Sequence, residues 1–225
     1  MRGGVRPQLL NDLIDMVMQP NREPTAELIA RFQAEGIAKD AIVDRYLPAA
    51  ARKLGAAWCE DEMSFAEVTI GSARLQALLR DLRAPHVTNI AAPSVLVLVP
   101  EDAYHTLGAG VLADQLRRLG ASPQLAIGLP LTQVAELVET HDFNAVLVSA
   151  AASQRLETLR ELVKCVRTAS RSKCPIVIGG TVTEKDTDIR TLTGADYVSN
   201  NPEEALVACG LMIPTHGVTS PERRG

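Results

Sequence analysis

The 225-residue chain is defined first by what it lacks. No apolar run reaches membrane-spanning length. The opening, MRGGVRPQLLNDLIDMV, carries charges too early for a secretory leader. The four cysteines, Cys59, Cys165, Cys174 and Cys209, have no C-x-x-C spacing and read as reduced thiols of a cytoplasmic protein. Neither half is cationic: 11 Lys/Arg stand against 12 Asp/Glu before residue 93, and 12 against 15 after it. Autonomous nucleic-acid binding needs a basic face, and no helix-turn-helix stretch with a basic recognition helix is present. P-loop and G-x-G-x-x-G signatures are missing, no nucleophile–base pair suggests hydrolysis, and no long repeat or low-complexity tract appears.

What is present is 46% hydrophobic, enough to bury a core in one or two domains. The first part is helical throughout. Leu9, Leu13, Ile14 and Val17 share one helical face, as do Leu28, Ile29 and Phe32 before Gly36. A third helix carries Val43, Leu47, Leu54 and Trp58, with a kink expected at Pro48. A fourth starts at Ser64, where Ser64 and Glu67 have capping-box spacing, and runs through Leu75, Leu78, Leu79 and Leu82. Four such helices make a small bundle over 1–84.

After "APHVTNIAAP" the pattern changes. Strand-like runs at 94–99, 123–127, 144–149, 175–178 and 196–199 alternate with helical segments, the last from Pro202 to Cys209. Five β-α units in succession predict an α/β domain over 93–212, a flavodoxin-like five-stranded parallel sheet. The tail, 213–225, has no pattern and is expected to be disordered.

Ligands of such sheets gather at the carboxyl ends of the strands, where the strand order reverses. There the chain places His105 after strand one and Gly128 after strand two. Ser149 with Ala150, Ala151 and Ala152 ends strand three, and Gly179–Gly180 ends strand four. Small residues at neighbouring strand ends suggest that something bulky approaches the backbone. A phosphate-accepting signalling module needs an acidic cluster. Here only Glu101 and Asp102 lie at strand one, and strand three ends in Ser149.

"HTLG" (105–108), "SAA" (149–151) and "IGG" (178–180) resemble the cobalamin-binding domain, whose pattern is D-x-H-x-x-G, S-x-L and G-G. The upstream "LGAAWCEDEMSFAE" is similar to the helical cap that precedes that domain in methionine synthase and in light-responsive cobalamin regulators. The likeness covers about residues 8–210. It implies that His105 coordinates cobalt from below, within the "HTLG" run that also holds Thr106 and Gly108. The displaced nucleotide tail would pass Ser149, Ala151, Gly179, Gly180 and Thr181, and Trp58, Val68 and Thr69 would belong to the upper face.

The departures narrow the family. Ala103 stands where the pattern has the aspartate that orients and tunes the histidine, as second-shell carboxylates do, and Asp102 is one residue away. Val68 and Thr69 stand where the adenosylcobalamin photoreceptors have Glu-His, which suits hydroxo- or aquocobalamin. Ala151 replaces the leucine of S-x-L. A free-standing cap and domain with these features resembles the AerR/PpaA family of antirepressors. That resemblance implies a light-responsive, non-enzymatic regulator of photosynthesis genes. It would act on a repressor of the CrtJ/PpsR type and reach DNA only through it.

Each residue also has a plainer reading. His105 on a loop can be a surface residue, as His86, His141 and His216 are expected to be. Trp58 can be core, and Val68 and Thr69 plain helix surface. Gly179–Gly180 can be a tight turn and Ser149 a helix cap. The cysteines can be small hydrophobes, with a redox role for Cys59 beside Trp58 as the rival. Two other functions share the layout: a corrinoid methyl carrier of a methyltransferase system, and a heme-binding SCHIC-type sensor.

Overall fold

The computed structural model describes residues 4–19, 25–83, 91–101, 106–185 and 187–211. The described residues form two compact units: those of 1–86 with 105–114, and those of 87–104 with 115–225.

The first unit is helical. It holds α1 (Pro7–Met18), α2 (Thr25–Ala34), α3 (Lys39–Ala41), α4 (Leu47–Cys59) and α5 (Phe65–Leu82). Its core is the aliphatic stripe read from the sequence, with Leu13, Leu28, Phe32, Leu54 and Leu75 buried. Tyr46 adds a buried ring in edge contact with Phe32, centroids 4.9 Å apart. Between α3 and α4 the chain makes a π turn, Ile42–Tyr46, and Pro48 then sits in the first turn of α4. The kink expected at Pro48 takes the form of this π turn just ahead of it, inside a run of helical dihedrals that continues into α4. The Ser64–Glu67 capping box forms, with the Ser64 N–H donating to Glu67 Oε2 at 2.8 Å. A Cβ at Gly71 would meet Leu54 Cδ1 at 2.8 Å, so glycine there lets α5 pass close to α4. Arg74 of α5 donates to the carbonyls of Val17 and Gln19, each at 2.7 Å, and so satisfies the end of α1.

α6 (Leu107–Arg118) begins in the first unit and ends in the second. The sheet belongs to the second. Its strands are β1 (Ser94–Val99), β2 (Ser122–Ile127), β3 (Ala145–Ser149), β4 (Ile176–Gly179) and β5 (Tyr197–Val198), all parallel, in the order β2-β1-β3-β4-β5. This is the flavodoxin-like order, with the switch point between β1 and β3. The helices α7 (Leu131–Thr140), α8 (Leu156–Ala169), α9 (Ile189–Thr193) and α10 (Pro202–Ala208) connect and follow the strands. Near-continuous burial along β1 and β3 matches their unbroken Val/Leu runs, as two-faced parallel strands require. Asp196 ties this unit together: Oδ2 accepts from the Ile176 N–H at 2.8 Å and Oδ1 from Arg167 at 3.0 Å.

Candidate cofactor site

In the second unit, three adjacent strand ends form a shelf of small and polar residues. Ser149 and Gly179 are register partners on β3 and β4. Ser149 is half-buried, and its hydroxyl has no hydrogen-bond partner among the described residues. It does not cap the next helix, because the N-cap of α8 is Arg155. That removes the plainer of its two readings. Beyond it the Ala152 N–H donates to Thr181 Oγ1 at 2.9 Å, which fixes the turn after β3 against the 3-10 turn Thr181–Glu184. Ala151, the position that departs from the family leucine, lies in the same turn.

The glycine pair has a reason internal to the fold. A Cβ on Gly179 would lie 2.6 Å from the Ser199 carbonyl oxygen, and one on Gly180 2.3 Å from that of Ala150. Gly180 also has φ +96°, which side chains disfavour. Its N–H donates to Asn200 Oδ1 at 2.7 Å, and Asn200 Nδ2 donates to Thr183 Oγ1. The pair is thus a crossing of backbones. A substitution at Gly180 would strain the sheet end itself. Asn200, exposed after β5, escaped the sequence reading because a lone Asn in a turn carries no pattern.

In the first unit, Trp58 is 48% exposed, so its reading as a core residue does not hold. Beside it stands Phe65, 71% exposed, with ring centroids 6.2 Å apart. Two large exposed rings side by side make an apolar patch on this unit. Phe65 was missed because it follows a helix cap and fits no helical stripe. Val68 packs on the helical core. Thr69 is exposed, with its hydroxyl donating back to the Phe65 carbonyl at 2.7 Å.

Thr106 and Gly108, also in this unit, open α6. Gln76 Nε2 donates to Thr106 Oγ1 at 2.9 Å, and Gly110 packs where a Cβ would meet Leu79 Cδ2 at 2.9 Å. Gly108 differs from Gly71 and Gly110. It is exposed, and a Cβ there would meet no described atom within 4 Å. Packing among the described residues does not require glycine at 108. His105, Ala103 and Asp102 lie outside the described residues, as do His86, His216 and the tail 213–225.

A parallel sheet in this order, with small residues at the ends of β3 and β4, defines an α/β domain of the flavodoxin-like class. Residues 93–209 match the B12-binding domain family. The chain belongs to that family. It is 34% identical over 178 residues, 77% of this chain and 93% of the other, to an uncharacterized 20.5 kDa protein of the bchF-crtJ intergenic region of Rhodobacter capsulatus. Among solved structures it is similar to the monomethylamine corrinoid protein of Methanosarcina barkeri, with TM-score 0.69 and 19% identity, covering 92% of this chain and all of that one. A cobalamin-binding protein from Desulfitobacterium hafniense aligns at TM-score 0.45 and 18% identity over 89% of this chain and 97% of that one. No helix among the described residues is long and apolar enough to cross a membrane.

In the second unit, the Ser149 hydroxyl, unsatisfied by described atoms, is a polar group of the kind a corrinoid's nucleotide tail could meet. The shelf residues Thr181 and Asn200 add further oxygen and nitrogen groups.

Proposed function

We propose that this chain is a cobalamin-binding, light-responsive regulator that acts as an antirepressor on a partner of the CrtJ/PpsR type. The observation that carries the reading is the 34% identical relative, which lies in the bchF-crtJ intergenic region. Membership of the B12-binding domain family supplies the cofactor. On this reading residues 1–84 act as the cap and 93–212 as the cofactor domain. His105 is the lower ligand, held through its neighbour Thr106, which Gln76 anchors. Ser149, Ala151, Gly179, Gly180 and Thr181 receive the nucleotide tail. Trp58, Val68 and Thr69 belong to the upper face and favour the hydroxo or aquo form, since neither Val68 nor Thr69 offers a strong ligand to cobalt.

Bound cobalamin would supply a cobalt centre whose upper ligand depends on illumination. The chain's own residues bind and orient it, and no catalytic group is assigned. A corrinoid methyl carrier shares the fold, so the fold does not separate the two readings. Ala103 speaks against the carrier, because the missing carboxylate is the group that would adjust the histidine as cobalt changes state.

The test is the ultraviolet–visible spectrum of the full chain mixed with hydroxocobalamin, adenosylcobalamin and heme. Binding of hydroxocobalamin, with a spectrum shifted and weakened in His105→Ala, supports the cofactor and its ligand. Heme binding with no cobalamin spectrum, or an unchanged spectrum in the variant, would remove them. A pull-down of the candidate repressor with and without cobalamin then tests the output. Equal capture in both conditions would sink the switch.

A further inference from the structure

The cations of this acidic chain are unevenly spread. Residues 155–173 hold six of its 23 Lys/Arg and only two of its 27 Asp/Glu. The stretch is α8 and the turn after it. Arg160, Lys164 and Arg167 recur at intervals of four and three, so they share one side of the helix over about 10 Å. They border an open groove of about 410 Å³, completed by Val163, Thr193 and Gly194 among others.

The groove is partly built. Arg167 Nη2 donates to the Gly194 carbonyl at 2.8 Å and to Asp196 Oδ1 at 3.0 Å, which fixes its guanidinium. Arg160 is only loosely paired with Glu157, at 3.7 Å between exposed side chains. Lys164 is exposed and has no side-chain partner among the described residues. Glu157 lies three residues before Arg160 and Glu161 three before Lys164, and Arg167 stands in the last turn, so the helix accommodates the three cations while leaving their outer side positive.

We propose that this groove docks an acidic segment of a partner protein. Its Asp or Glu side chains would meet Arg160, Lys164 and the open edge of Arg167. Charge complementarity selects the occupant, because carboxylates suit both the fork of a held guanidinium and a free ammonium. A nucleic acid fits less well. Outside this stretch the chain has 17 Lys/Arg against 25 Asp/Glu, and that excess repels a polyphosphate at long range. Glu157 and Glu161 stand on the same helix. The proposal uses none of the strand-end residues and does not rest on the cofactor reading.

The experiment is fluorescence anisotropy of the full chain with three labelled probes at low salt: a short peptide of alternating Glu and Leu, its Gln counterpart, and a single-stranded oligothymidylate. The acidic peptide is expected to bind at least about tenfold more tightly than the other two. It should weaken about tenfold in Arg160→Glu/Lys164→Glu and several-fold in the milder Arg160→Gln/Lys164→Gln, whose far-ultraviolet circular dichroism should match the parent's. Arg52→Glu, an exposed charge reversal in the helical unit, is expected to leave binding unaltered. Failure of the acidic peptide to bind, equal binding of the Gln peptide or the oligonucleotide, or an equal loss in Arg52→Glu would each overturn the proposal. So would binding that survives both double variants.

Discussion

Gln76 and Thr106, thirty residues apart, are joined by a hydrogen bond in which Gln76 Nε2 donates to Thr106 Oγ1 at 2.9 Å. The contact is part-buried and holds the residue next to His105. Gln76→Ala and Thr106→Val should each destabilise the chain, and urea unfolding of the singles and the double should give a coupling of about 0.5–1.5 kcal/mol. If the bond positions the histidine, cobalamin affinity falls in both variants even where stability falls little. Additive effects would show that the bond contributes nothing.

Two glycines give opposite tests. Gly180→Ala should cost at least about 3 kcal/mol, because φ is +96° and the new Cβ would lie 2.3 Å from the Ala150 oxygen. Gly108→Val meets open space and is expected to fold normally while losing cobalamin affinity. Denaturant midpoints and a cobalamin titration separate the two. Normal affinity in Gly108→Val would mean that the room beside Gly108 serves no ligand. A third glycine calibrates the pair: Gly55→Ala, inside α4 with nothing within 4 Å, should gain about 0.5–1 kcal/mol.

The four free thiols should react in order of exposure. Cys59 is exposed and is expected to react first with a thiol-specific reagent near neutral pH. Cys165 is raised above its ordinary value by burial and by Glu139. Burial pushes Cys174 and Cys209 up to about 11, with Asp196 adding to both. At that value about one molecule in a thousand is a thiolate near pH 8, and the thiolate is the reactive form. Fast labelling of Cys174 in the folded chain would contradict its burial.

The helix caps make a pH-dependent contribution. Glu67 is held below its ordinary 4.5 by hydrogen bonds from the Ser64 side chain and backbone. Asp188, the side-chain N-cap of α9, is lowered by its hydrogen bonds from Thr191. A lowered folded value means stability that is present above the unfolded value and lost as pH falls through the folded one. Ser64→Ala should therefore melt below the parent chain at neutral pH, and the gap should narrow below about pH 4. A gap independent of pH would show that the Glu67 carboxylate takes no part.

The sheet was legible because its signal is local and redundant. The run Ser94–Val99 is apolar on both faces, β-branched and bounded by proline, and it forms β1 over those same residues. The 2-1-3-4-5 order followed from five β-α units in succession. Close approach was legible as to place and not as to cause. Gly179–Gly180 reads as room for a ligand, but sequence does not show that the Ala150 and Ser199 carbonyls occupy that room. Trp58 sits near an aliphatic stripe that turns away from it, and a helix-period pattern blurs at its edge by one residue. The cationic side of α8 vanished in a count taken over halves of the chain, because charge there is local to nineteen residues.

β5 pairs through two residues only, Tyr197 with Val177 and Val198 with Ile178, and both its side chains are exposed. A sheet that ends so thinly opens from that side first. Under native conditions the amide protons along β5 should exchange with solvent by local fraying, well ahead of those in β1 and β3, whose release should await global unfolding. By the same measurement, the stretch that carries Asn200 should be the part of the strand-end shelf that breathes fastest.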